Sequence, residues 1–290
     1  MSIFDILLRL VIGSVVGFAI GLTGIGGGVL VLPSLTLILG VPISQAIGTA
    51  SLYTFISKAY AGIEHYRLKT IDFAISAFIL IGAIPANVAS ALFITRYINA
   101  NAGDTARLDA FQNGLTLVIS VTLIVTVGMI LYQTFRKQQA AEAILEHDVA
   151  SATDIREPGA PSPSKQTGPG RKITAIIAGI LVGAVIGATS VGGGVLIIPL
   201  LILIFRLRTN ITVGTSIFIG LILVGVTALI YGMGGQMELV TALVMAGASF
   251  VGVYFGSRMT SKIPDKALRI VLSAIILFSA VSMLFGQGGH

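Results

Sequence analysis

Ten apolar runs occupy this 290-residue chain, at roughly 6–22, 27–40, 44–62, 72–94, 107–132, 172–190, 194–205, 210–232, 237–257 and 267–285. A helix needs about 20 residues to cross a 30 Å hydrocarbon core, and most of the runs have that length. Two are short. At 1.5 Å per residue, 27–40 and 194–205 span only about 21 Å and 18 Å, and each is preceded by or begins within three consecutive glycines. Period-2 alternation is absent, which argues against a β-barrel. With 10% charged and 55% hydrophobic residues, the chain lacks the polar surface that a soluble fold needs to cover its core. The expectation is an all-α polytopic membrane protein. Asp5 in the leading segment, and a first run that passes straight into glycines, argue against a cleaved signal peptide.

Composition removes several functions. There is no cysteine, and the three histidines are His65, His147 and His290, so thiolate and histidine metal centres are not expected. The isoelectric point near 9.7 would suit nucleic acid, but the basic residues stand at the ends of apolar runs, where they set membrane topology. No nucleic-acid partner, metal or other cofactor is expected. An intramembrane enzyme would need a histidine, a cysteine or a close carboxylate pair at depth, and a metal-ion transporter would need clustered ligands. Neither pattern is present, and no catalytic residue is assigned.

The strongest signal is an internal repeat at an ungapped offset of 166 residues. Residues 17–33 read GFAIGLTGIGGGVLVLP and residues 183–199 read GAVIGATSVGGGVLIIP. The same offset aligns Gly48-Thr49 with Gly214-Thr215, and Asp72 with Glu238. Between Arg136 and Arg171 the composition turns charged, then rich in proline and glycine. This divides the chain into an N-terminal membrane repeat (1–135), a flexible cytoplasmic linker (136–171) and a C-terminal membrane repeat (172–290). The first part of the linker, Gln138 to Val149, could extend the preceding helix.

Charge sets the relation of the halves. If all ten runs cross, Arg9, Arg96 and Arg107 fall outside and the other fifteen of the 18 lysines and arginines fall inside. If the short runs turn back, the group from Arg258 to Arg269 lies outside, against the positive-inside rule. The expectation is therefore two inverted repeats of about five transmembrane segments each, with discontinuous helices at the Gly-Gly-Gly breaks and both termini outside the cytoplasm.

With its doubled Gly-x-Thr-x-x-Gly-Gly-Gly before a Pro-ended apolar run, followed by Gly-Thr-Ala-Ser and Gly-Thr-Ser, the chain resembles the TauE/SafE sulfite exporter family. The likeness covers nearly all of the chain outside the linker. It implies a permease of the bacterial inner membrane for sulfite, sulfonates and related organosulfur anions.

The residues suggest how an anion could be held. Consecutive glycines break a helix inside the membrane, which is tolerated only where backbone faces protein or a watery cavity. A helix restarting after each triplet presents free N–H groups and about +0.5 charge. Two such ends would supply about +1, enough for a monoanion without a buried lysine or arginine. The candidate substrate-binding residues at the breaks are Thr23, Gly26, Gly27 and Gly28 in the first half, and Thr189, Ser190, Gly192, Gly193 and Gly194 in the second. Counting residues along each run puts each break level with the Gly-Thr of the other half, which adds Thr49, Ser51, Thr215 and Ser216. Close packing is the alternative for the triplets, and bonding to the helix's own backbone is the alternative for these hydroxyls. The stripes Gly13-Gly17-Gly21 and Gly179-Gly183-Gly187 read as packing faces. Lys58 lies near an inner span end and reads as snorkelling to the interface. Asn87 reads as an interhelical hydrogen bond. Asp72 and Glu238 are the candidate carboxylates for proton coupling, with a proton or sodium ion as candidate second partner beside the anion and the lipid bilayer. The leading reading is a secondary transporter working by alternating access, and its rival is a passive anion channel of the same architecture.

Overall fold

The computed structural model describes residues 3–23, 27–150, 169–191, 194, 196–205, 207, 209–259 and 265–285. Among these residues there is helix and no strand. The first half holds α1 (Ile3–Thr23), α2 (Gly28–Pro33), which continues as a π-helical turn over Ser34–Ile38, α3 (Ile43–Arg67), α4 (Phe73–Ala100) and α5 (Thr105–Ala150). The second holds α6 (Pro169–Thr189), α7 (Ile197–Leu203), α8 (Thr209–Met233), α9 (Leu239–Met259) and α10 (Asp265–Phe285). Every apolar run of the sequence thus becomes a helix. Helix α5 continues through 136–150, and residues 151–168 of the linker lie outside the described residues.

Among the described residues, six helices are long and apolar enough to cross a bilayer: α1, α4, α5, α6, α8 and α9. The chain is a multi-pass membrane protein. Helix α3 has the length, at 25 residues, but its middle carries Thr49, Ser51, Thr54, Ser57 and Lys58. Such a helix needs neighbours that hide its polar side from lipid.

Glycine decides which helices approach closely. A β-carbon at Gly13 would run 2.5 Å from the Met245 carbonyl oxygen, and one at Gly17 would strike the backbone of Ser249. A β-carbon at Gly179, Gly183 or Gly187 would likewise meet the backbone of Ile79, Ala83 or Asn87. Each glycine therefore lets two helix backbones touch, as small residues do where lipid offers no hydrophobic drive for association. Residue numbers rise together along both seams, so α1 and α9 run in the same direction, as do α6 and α4. The seams correspond at the repeat offset, Gly17–Ser249 mapping onto Gly183–Ala83.

Hydrogen bonds place the helix ends. Ser44 Oγ, at the start of α3, donates to Gln236 Oε1 (2.9 Å) just ahead of α9. Arg9 Nε donates to Thr241 Oγ1 (2.9 Å) in the first turn of α9. Asn99 Nδ2, near the end of α4, donates to the carbonyl of Gly234 (3.1 Å), just past α8. One face of the bundle thus gathers the starts of α1, α3 and α9 with the ends of α4 and α8. At the other face the Lys172 ammonium of α6 sits 5.2 Å from the Phe78 ring centroid of α4, and the start of α4 bonds the start of α8.

Candidate functional site

The two breaks meet. Gly28, the first residue of α2, lies against Ser190, and a β-carbon there would run into the Ser190 carbonyl oxygen. Helix α2 is buried along its whole length, and it restarts directly at the third glycine: the N–H groups of Leu30 (3.1 Å) and Val31 (2.9 Å) bond the Gly27 carbonyl. In the second half the restart is later. Helix α7 begins at Ile197, although the Ile198 N–H already bonds the Gly194 carbonyl at 3.0 Å. Gly26, Gly192, Gly193 and the side chain of Thr23 lie outside the described residues.

Helix α6 ends in a turn of its own. The Ser190 N–H bonds Ile186 O at 2.8 Å, Ser190 takes φ +56°, and Thr189 Oγ1 donates to Val185 O (2.7 Å) and accepts from Val191 N (3.1 Å). A serine in the left-handed region is strained by roughly 1–2 kcal/mol, whereas glycine tolerates it. The repeat offset places glycine, Gly24, opposite this serine. Ser190 also keeps a buried hydroxyl with no hydrogen-bond partner among the described residues. Ser190→Gly is therefore expected to stabilise the protein by about 1 kcal/mol while lowering transport. Unfolding and flux measured on the same variant check this. A loss of stability would mean that the hydroxyl serves the fold.

Around Gly27 stands the inward side of α3. A β-carbon at Gly27 would come within 2.9 Å of Tyr53 Cε1 and 3.3 Å of Thr54 Oγ1. Tyr53 and Thr54 are buried. Among the described residues, the hydroxyls of Thr54 and of Ser57, one turn on, have no partner, and that of Tyr53 faces Ser57 and Ser249 without completing a hydrogen bond. A buried hydroxyl left without a partner costs about 1–3 kcal/mol. Several at one place are what a site for a polar ligand leaves behind. Tyr53, Thr54 and Ser57 were not among the sequence candidates. Their 53, 54, 57 spacing, polar on one side of an apolar run, was the available signal.

The four hydroxyls further along the repeat have partners. Thr49 Oγ1 donates to Gln45 O (2.7 Å) and accepts from the N–H of Glu238 (2.9 Å). Ser51 Oγ donates to Ile47 O (2.8 Å) and Ser216 Oγ to Val213 O (2.8 Å). Thr215 Oγ1 accepts from the N–H of Asp72 (3.0 Å). Gly48 packs on Gln236 and Tyr231, and Gly214 on Thr70, so the structure brings each break to the other break and each Gly-Thr to the other half's helix start.

Asp72 and Glu238 are tied at those starts. Asp72 Oδ1 caps α4 by accepting from Ile75 N (3.0 Å). Glu238 Oε2 accepts from Thr241 Oγ1 (2.7 Å) and lies 3.7 Å from Arg9 Nη2. Asn87, fully buried, makes the interhelical bond expected of it, donating to Thr227 Oγ1 at 2.9 Å. Lys58 departs from expectation: it does not reach outward but is buried, at 7% exposure. A groove of about 540 Å³ along α4, lined by Phe93, Arg96 and Tyr97 among others, opens on the outside of the bundle and does not reach the breaks.

The comparisons with known proteins agree with a membrane transporter. Residues 9–283 match the family described as "Sulfite exporter TauE/SafE". A probable membrane transporter protein of Bacillus subtilis, YjnA, is 26% identical over 284 residues, covering 98% of this chain and all of that protein. A probable membrane transporter protein of Methanocaldococcus jannaschii is 27% identical over 299 aligned positions, covering 97% of each chain. No solved structure matches. The family match spans nearly the whole chain, and the chain belongs to the TauE/SafE sulfite exporter family of membrane transporters.

Proposed function

We propose that this transporter moves small organosulfur anions, sulfite or a sulfonate, by alternating access around a site at the two glycine breaks. One observation carries the reading. The unpartnered, buried hydroxyls of Thr54 and Ser190 flank Gly27-Gly28, where two interrupted helices touch. An oxyanion has the acceptors to satisfy several such donors at once. Thr23, Gly26, Thr189 and Gly192 to Gly194 belong to the same proposed site. Thr49, Ser51, Thr215 and Ser216 form its approaches rather than its floor, because the first two and Ser216 already give their hydrogens to backbone carbonyls and Thr215 accepts from the Asp72 N–H.

The proposal includes inverted halves. Equivalent helices start on opposite faces, α3 beside α9 and α8 beside α4, and the Thr49–Glu238 bond has its counterpart in Thr215–Asp72. Rocking of one half on the other would exchange these two faces. The face carrying Arg67, Lys69 and Lys172 is the cytoplasmic one on the positive-inside rule, which puts the termini outside the inner membrane. A proton or sodium ion is the proposed coupling partner.

Thermal unfolding of the purified chain with sulfite, thiosulfate, sulfoacetate, taurine and cysteine tests the substrate class, since a ligand of the folded state raises its stability by mass action. Methanesulfonate and its neutral relative methanesulfonamide test the charge. Saturable stabilisation by the anions and not by the amide is expected. Equal stabilisation by the pair would overturn the anion site.

A further inference from the structure

Lys58 has no visible reason to be where it is. It is 7% exposed on α3, and among the described residues it takes part in no hydrogen bond or ion pair. A buried ammonium without a counter-charge is expensive, and inside a membrane such residues mark ion and substrate pathways. Its place on the helix sets its level and the face it shares. At 3.6 residues per turn, Ser57, Thr54 and Lys58 fall within about 100° of one another around α3. Thr54, one turn before Lys58, faces Gly27. Gly62, one turn after it, faces Leu221 of α8. Lys58 therefore stands on α3 midway between a residue that faces the first glycine break and one that faces α8, on the side that carries the unpartnered hydroxyls of Thr54 and Ser57.

The other half has no such face. The repeat offset sets Tyr53, Thr54, Ser57 and Lys58 against Ile219, Gly220, Leu223 and Val224. Ile219, Leu223 and Val224 are buried in an apolar cluster with Ile79, Ile197 and Leu201. The backbone is duplicated and the polar chemistry is not. This changes the source of charge at the site. Two helix ends alone would make the halves equivalent, whereas a lysine on α3 makes one of them the binding half.

We propose that Lys58 is the cation that the transported oxyanion meets, and that with Thr54, Ser57 and Ser190 it forms a one-sided anion subsite against the first glycine break. The inference rests on the transporter reading above. Its test uses the full chain in detergent or nanodiscs, with sulfite and sulfoacetate as probes. Lys58→Met removes the charge at similar volume. It is expected to leave the ligand-free protein at least as heat-stable as wild type, because an uncompensated buried charge is gone, and to weaken both anions at least tenfold. Lys58→Arg is expected to keep affinity within tenfold of wild type. Equal affinity in wild type and Lys58→Met overturns the inference while leaving the transporter reading intact. Absence of any saturable shift in wild type overturns the reading itself, and the inference with it. Should Lys58→Met fail to insert, the wild-type chain answers the question. Its lysines are dimethylated with 13C-formaldehyde, and the Lys58 resonance is identified by its absence from Lys58→Arg. A saturable shift of that resonance with sulfoacetate supports the subsite, and an unmoved resonance at saturating sulfoacetate overturns it.

Discussion

Alanine at Gly28 is expected to abolish transport, with flux falling at least 100-fold while the protein still reaches the membrane. The reason is steric and local. A β-carbon there runs into the carbonyl oxygen of Ser190, and a backbone atom cannot turn aside as a side-chain tip can. Helix α2 and the end of α6 must separate, and the contact between the two breaks is lost. Gly27→Ala makes a graded comparison. Its β-carbon meets Tyr53 Cε1 at 2.9 Å and Thr54 Oγ1 and Ile20 Cδ1 at 3.3 Å, all of them side-chain atoms rather than backbone. The 27 variant is expected to keep near-normal thermal stability and lose affinity, because the added methyl occupies the space beside the unpartnered Thr54 hydroxyl. The 28 variant is expected to lose both. Membrane insertion, unfolding and flux, measured on the two variants together, separate packing from binding. Normal flux in both would remove the first break from the site. Failure of both to insert would make the triplet a packing element only.

The sequence made some of this legible because duplication marks it twice. The breaks, the helix that restarts at Gly28, and the packing stripes on α1 and α6 all lie in the repeated segments, where the same small residues recur at one offset. Glycine spacing also indicated that these stripes are packing faces, although not that α1 packs on α9 and α6 on α4, since contacts between distant segments leave no local periodicity. The polar face of α3 was hidden for a different reason. It occurs in one half only, so the repeat does not point to it, and each hydroxyl alone is ordinary in a membrane helix. The distance of Lys58 to a span end suggests snorkelling. Depth along a helix says nothing about which way a residue faces, and Lys58 faces inward. The same weakness affects the depth matching of Thr49 and Thr215. Residue counting assumes untilted helices with known ends, and here the second turns of α3 and α8 are held by bonds to Glu238 and Asp72.

Those two threonines give the second large effect. Thr49→Val and Thr215→Val each keep the side-chain shape and remove the hydroxyl. In Thr49→Val the N–H of Glu238 loses its acceptor at the start of α9, and in Thr215→Val the N–H of Asp72 loses its acceptor at the start of α4. A fully buried donor left unpaired costs about 1–3 kcal/mol; both donors here are part-buried, so each variant is expected to lose about 1 kcal/mol of stability. The two bonds lie at opposite faces of the bundle and share no partner, so the double variant is expected to show the sum of the two losses to within about 0.5 kcal/mol. Anion affinity is expected to change less than about twofold in Thr49→Val, because that hydroxyl's single hydrogen is already given to Gln45 O and is not available to a ligand. If the hydroxyls instead donate to the anion, as their spacing in the sequence suggests, the signature reverses. A charge-assisted bond is worth about 1.5–3 kcal/mol, and its loss would weaken binding roughly 10- to 150-fold with little effect on unfolding. Denaturation and titration of the same samples therefore distinguish a bond between the halves from a contact with substrate. A large affinity loss at unchanged stability in both variants would extend the site from the glycine breaks to the starts of α3 and α8.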